Sequence, residues 1–209
     1  MSKPLTRDEI LYLQRTCSVC GIYSGPLDGK WTASVSSAEA ALGTQGREIR
    51  DELGEFDPRT ESNIATLMPP AQRVAREFMR AAAGFPNKVT IISGSRTYPE
   101  QDALYAIGRT VQRSRSPVTN AKAGHSNHNF GIAWDVAIFE AGGRYMDGKK
   151  KSDDEAYSAL AKLAKARVAK LEWGGDWKSF VDAPHYQLAT GGKSVPEVRT
   201  LFEAGKPLG

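Results

Sequence analysis

Apolar positions recur at helical spacing near the start of the chain, at Ile10, Leu13, Cys17 and Cys20. They follow Thr6-Arg-Asp-Glu9, a capping box in which the first and fourth side chains satisfy each other's backbone donors. The pattern predicts a helix over about 7–20, broken by Gly21, Ser24-Gly-Pro26 and Asp28-Gly29. A second helix follows Thr32 with Val35, Ala38 and Leu42, and a short third covers Arg47 to Leu53. Met68-Pro-Pro70 opens a helix whose Val74, Phe78 and Ala81 or Ala82 face inward, ending at Gly84. The period then changes: Val89-Thr-Ile-Ile92 is a short β-branched run and reads as a buried strand. Tyr98 to Ile107 returns to a helix with Leu104 inward. The stretch from Gly108 to Gly124 is irregular and basic, with Arg109, Arg113, Arg115 and Lys122.

In the second half, Ile132-Ala-Trp134 and Val136-Ala-Ile138 form an apolar strand interrupted by Asp135. Gly142-Gly143 and Asp147-Gly148 suggest a hairpin-like turn and an exposed loop. Ser152-Asp-Asp-Glu155 opens a long helix to about Lys170, with Leu160, Leu163 and Val168 on or near its inner face. Leu171 to Trp177 reads as strand and turn, with Trp173 and Trp177 packing or walling a cleft, and Pro184 to Leu188 as a further strand. Ser194-x-x-Glu197 caps a last helix burying Val198, Leu201 and Phe202. Helices set apart from a few short strands predict an α+β fold with a small, mainly antiparallel sheet and flanking helices. The polar stretch Gly54 to Asn63, with Asp57-Pro58, places a boundary: a small helical domain over 1–54, a linker over 55–63 and the main domain over 64–209.

No stretch reaches the ~18 apolar residues of a membrane span, so the chain reads as soluble and without stable membrane insertion; a monomer is expected. The N-terminus, Met1-Ser-Lys-Pro-Leu-Thr-Arg, lacks the basic-then-apolar layout of a secretory leader, which predicts synthesis and retention in the cytoplasm. The net charge of +4, from 28 basic and 24 acidic side chains, suits polyanions such as an acidic cell envelope or nucleic acid without choosing between them. Cys17 and Cys20 lack the second ligand pair of a structural zinc site and sit on a helix's apolar face, so they read as packing residues.

The informative chemistry lies in the three histidines. His125 and His128 precede Asp135, and His185 lies in Val181-Asp-Ala-Pro-His-Tyr-Gln187. A catalytic zinc takes about three protein ligands and leaves a position for water, and His128, Asp135 and His185 can supply them. An Asp in so apolar a strand is costly to bury unless paired or bound to metal. Gly131 would relieve the backbone beside such a site. Asp182, three residues before His185 with Pro184 stiffening the approach, can serve as the base that a hydrolytic zinc requires.

Ser126-x-His128-x6-Asp135 with Asp182-x-x-His185 resembles the zinc metallopeptidases of the D-alanyl-D-alanine carboxypeptidase (VanY-type) family, which includes phage endolysins. Ile92-Ser-Gly-Ser-Arg-Thr-Tyr-Pro-Glu-Gln101 is similar to the family's strand-to-helix element, and Val118-Thr-Asn-Ala121 to its endolysin branch. The resemblance implies a hedgehog/D-Ala-D-Ala peptidase-like fold over about 140 residues. It also implies zinc on His128, Asp135 and His185, Asp182 as catalytic base, and Arg96, Gln101 and Ser126 lining the substrate cleft. His125 falls on a variable position. Asp-x-Pro-His followed by an aromatic and Gln, here Asp182 to Gln187, is the form of the endopeptidases that cut the L-alanyl-D-glutamate bond of bacterial peptidoglycan. In phage such an enzyme acts on the wall at host lysis, after a separate holin opens the membrane.

Leu13-Gln14, Gly21-Ile-Tyr23, Gly25-Pro-Leu-Asp-Gly29 and Thr32 resemble the small three-helix peptidoglycan-binding domain found beside many wall hydrolases, although the usual residues of its second helix are replaced by Ser36-Ser-Ala-Glu-Ala-Ala-Leu42. A helical cap on the catalytic domain is the alternative. Rival readings of the whole chain are a D-alanyl-D-alanine carboxypeptidase with the same metal site, a non-catalytic wall-binding module, and a metal nuclease built on His125-x-x-His128-Asn129. The last leaves Asp182-x-Pro-His185 without a role, so nucleic acid is not an expected partner.

Overall fold

A computed structural model of the chain describes residues 4–208; Met1 to Lys3 of the stretch read for a leader, and Gly209, lie outside the described residues. In chain order the elements are α1 (Arg7–Val19), α2 (Ala33–Leu53), α3 (Pro58–Ile64), α4 (Pro69–Ala82), β1 (Lys88–Ser93), α5 (Tyr98–Ala106), β2 (Ala133–Phe139), α6 (Lys151–Lys165), β3 (Leu171–Trp173), β4 (His185–Leu188) and α7 (Val195–Glu203). Short 3-10 turns occupy Asn127–Phe130 and Gly174–Asp176. The fold is α+β, with one antiparallel four-stranded sheet in the order β1-β2-β4-β3. Among the described residues no helix is long and apolar enough to cross a membrane.

The chain forms two compact units. One comprises residues 46–95 and 132–189 and contains the sheet. Strand parity divides that sheet's faces, since side chains alternate along a strand. Trp134, Val136 and Ile138 of β2 and Tyr186 of β4 point to one face and are buried. There Phe78 of α4 lies with ring centroids 4.6 Å from Tyr186 and 6.2 Å from Trp134. Truncating a buried aromatic of this kind typically costs about 3–5 kcal/mol. The opposite face carries Asp135, His185, Gln187 and Glu172, brought side by side by the registers Asp135↔His185 and Glu172↔Gln187.

The other unit comprises residues 1–45, 96–131 and 190–209. Its core gathers Ile10, Cys17, Tyr23, Val35 and Ala38, and Thr6 and Glu9 form the expected capping box. Cys17 is free and buried; burial, with Glu39 nearby, pushes its thiol up to about 11. Cys20 is also free, and burial raises it to about 12, so neither thiol is poised to react. Tyr12 of α1 lies 5.6 Å from Phe202 of α7, which lies 5.4 Å from Phe130. The first helix therefore supports, through one aromatic ladder, the turn that carries His128.

Three elements differ from expectation. Residues 33–53 form one helix, not two; at Gly46 an added Cβ would lie 3.0 Å from the Gln72 side chain, so this glycine serves a close approach inside a continuous helix. The stretch read as a linker contains α3, because Asp57 accepts hydrogen bonds from the Arg59 and Thr60 backbone and Pro58 occupies the first turn. Helix α6 ends at Lys165 instead of near Lys170, and Lys170 adopts a positive φ of 58°. Its N-cap is Lys150, without a side-chain cap bond, so Ser152 does not start it.

Candidate metal centre

The first histidine of the set is placed by backbone. Ser126 begins the 3-10 turn 127–130 in extended conformation with no side-chain cap bond, and Gly131 ends it with φ 71° and ψ 20°, a left-handed geometry that favours glycine. The Arg96 N–H donates to the His128 carbonyl at 3.0 Å. Asn129, fully buried, donates to the Arg96 carbonyl at 2.9 Å and accepts from the Gly124 N–H at 3.0 Å. Asn129 thus ties the turn both to Gly124 ahead of it and to the segment after β1, a role the sequence reading missed. The sequence carries no signal for this role, because both the burial of Asn129 and its partner Arg96 appear only in the fold.

Asp135 and His185 are placed by the sheet. Their carboxylate Oδ1 and imidazole Nδ1 lie 3.5 Å apart, with the His185 side chain almost fully buried. Two ligands at about 2.1 Å in tetrahedral disposition around zinc are separated by about 3.4 Å, so this spacing suits a shared metal better than a direct hydrogen bond. One ligand atom each from His128, Asp135 and His185 lies within 4.8 Å of the others. Two imidazoles and a carboxylate are the donor chemistry of a catalytic zinc site. Burial opposes the charged form of His185, but the Asp135 carboxylate, with smaller help from Gln187 and Asp182, outweighs it and holds the imidazole above its ordinary range.

Asp182 is half-buried and begins the turn that delivers His185: its carbonyl accepts from the His185 N–H and its own N–H donates to the Gly174 carbonyl, both at 3.1 Å. Trp173 braces the same turn by donating its indole N–H to the Ala183 carbonyl at 2.8 Å, and the Trp177 ring lies 4.8 Å from that of His185. Gly174 is buried against this arrangement. A Cβ there would come within 2.6 Å of the Asp182 carbonyl oxygen and 3.0 Å of the His185 Cβ. Gly174→Ala is therefore expected to displace both residues and lower kcat by about a hundredfold, the cost of an ångström-scale misplacement. Steady-state kinetics on the folded variant check this, and unchanged kcat would show that the turn absorbs the methyl group.

Of the residues expected to line a cleft, Arg96 is half-buried and donates from Nη1 to Gln101 Oε1 at 3.3 Å. Gln101 is fully buried, and its amide also donates to the Ala121 carbonyl at 2.8 Å and the Thr119 hydroxyl at 3.4 Å. Ser126 is half-buried and His125 exposed, outside the ligand set.

A family model described as D-alanyl-D-alanine carboxypeptidase, of the M15 peptidases, matches residues 119–188, which include His128, Asp135, Asp182 and His185. The peptidoglycan L-alanyl-D-glutamate endopeptidase CwlK of Bacillus subtilis (strain 168) is 35% identical over 127 residues, covering 58% of this chain and 73% of that protein. The chain belongs to the M15 peptidase family. Another member, the L-alanyl-D-glutamate peptidase of Escherichia phage T5, is 31% identical over 133 residues, covering 61% of this chain and 85% of its own. The crystal structure of the Serratia marcescens L-Ala D-Glu endopeptidase ChiX is similar at 26% identity over 65% of this chain and 90% of that one, with a TM-score of 0.46. M15 peptidases are metal-dependent hydrolases, and His128, Asp135 and His185 form a possible metal site in this member.

Proposed function

We propose that this chain is a zinc-dependent endopeptidase of the phage-endolysin kind, cutting peptidoglycan stem peptides between L-alanine and D-glutamate. The observation that carries the reading is the pair of relatives named for that bond, of which the chain covers 73% and 85%. The donor set of His128, Asp135 and His185 supports zinc. When bound, zinc polarises the scissile carbonyl and acidifies a water. Asp182 takes the proton from the attacking water and delivers it to the leaving amine. Arg96 holds a substrate carboxylate with its planar fork, and Gln101, being buried, acts through Arg96 by fixing the guanidinium. Ser126 contributes a hydroxyl at the mouth of the turn. Residues 1–54 form a degenerate wall-binding domain, and the monomeric protein is made in the host cytoplasm and reaches the wall at lysis.

The family model's description favours one second reading, removal of a terminal D-alanine by the same centre. Mass spectrometry of digested peptidoglycan separates the two. New amino termini on D-glutamate are expected. Loss of a terminal D-alanine alone would replace the proposal by the second reading.

A further inference from the structure

Four polar side chains cross the sheet in one row on the face away from the aromatic core. Glu172 on β3 faces Gln187 on β4 and accepts from its Nε2 at 2.6 Å. The other end of that amide, Oε1, lies 3.0 Å from His185 Nε2, and His185 Nδ1 lies 3.5 Å from Asp135 Oδ1. Gln187 and His185 are both buried. The row has a direction, and one carboxylate sets it. An ionised carboxylate only accepts hydrogen bonds, so Glu172 draws the amide NH2 of Gln187 toward itself. The amide oxygen is then left facing His185, and it too only accepts. In its neutral form the imidazole must therefore carry its hydrogen on Nε2, which leaves the Nδ1 lone pair pointing toward Asp135.

This arrangement opposes a local preference. Alone, Asp135 would draw the imidazole hydrogen onto Nδ1, the atom that a metal shared with Asp135 requires free. We propose that Glu172 and Gln187 are positioning residues that hold His185 as the Nε2–H tautomer and so present Nδ1 to the metal. The inference rests on the metal-site reading above. A ligating histidine whose second nitrogen is fixed by a polar partner is more basic and better oriented, and loss of such a partner typically costs about tenfold to a hundredfold in metal affinity.

Glu172→Gln tests the direction while preserving shape. The new amide can donate to Gln187 Oε1 as readily as accept from Nε2, so the Gln187 amide is free to reverse. Two readouts apply to the full chain. Zinc affinity, measured by competition with a chromogenic chelator, is expected to fall by about tenfold to a hundredfold. In the metal-free protein at alkaline pH, long-range imidazole 15N spectra are expected to show the Nδ1–H form of His185 gaining at the expense of Nε2–H.

The exchanged pair Glu172→Gln with Gln187→Glu restores the direction, because the amide at 172 donates to a carboxylate at 187 whose second oxygen accepts from Nε2–H. Its zinc affinity is expected to return to within about threefold of the parent or exceed it. A Glu172→Gln protein with parental affinity and a single Nε2–H tautomer would overturn the proposal. If the single variant does not fold, the exchanged pair decides: a folded pair with weak zinc binding and mixed tautomers overturns it equally. A parent chain that binds no zinc contradicts the metal-site reading instead, and the metal-free tautomer spectra still report on the row.

Discussion

Asp182→Ala is expected to keep its zinc while turnover falls by about 10²–10⁴-fold, the contribution of a positioned general base. The fold around residue 182 should survive, because the main-chain bonds of this turn and the Trp173 indole that braces it stay in place. The Asp182 N–H meets the Gly174 carbonyl and the Asp182 carbonyl meets the His185 N–H. The substitution removes a carboxylate and keeps the main-chain bond that places His185. Zinc content by atomic emission and kcat on purified stem peptide, measured on one preparation, separate the two effects. A variant with near-normal kcat would remove Asp182 from the mechanism, and one that loses zinc would make it a support for the site.

Removing the metal should abolish activity and make the stability of the protein depend on pH in a characteristic way. In the metal-free chain, burial disfavours charged His185 but Asp135 prevails, so its folded-state pKa is raised. A raised pKa contributes stability that is full below the unfolded value of about 6.5 and is lost as pH rises through the folded value. Metal binding runs the other way, because the ligand nitrogen must shed its proton before it can coordinate. The metal-free protein is therefore expected to lose Tm as pH rises above about 6.5, while the gain in Tm on adding zinc grows over the same range. Paired thermal melts with chelator and with excess zinc measure the gap. A gap that narrows with rising pH would exclude His185 as a titrating ligand.

The sequence made some parts of this arrangement readable and hid others for physical reasons. His128, Asp135 and His185 stand out because a rare residue type and an acid in an apolar strand carry their chemistry in their identity. Capping boxes at Thr6 and Ser194 are legible because both partners lie within four residues. The continuous α2 was not, since Gly46 suggests a break until its close neighbour Gln72 is seen. Asn129, Gly174 and the Glu172–Gln187 pair were equally hidden. Asn129 acts on Arg96, 33 positions away, and Gln187 on Glu172, 15 positions away, so their roles depend on the path of the chain and the strand register. Gly174 matters through the atoms that a side chain would strike, and a glycine in a turn gives no sign of these.

The most direct test of the metal centre is anomalous diffraction at the zinc edge from crystals of the zinc-loaded protein. One strong peak is expected within about 2.0–2.2 Å of a nitrogen of His128, a carboxylate oxygen of Asp135 and Nδ1 of His185. A peak bound elsewhere, or none at these three side chains despite stoichiometric zinc in solution, would contradict the account.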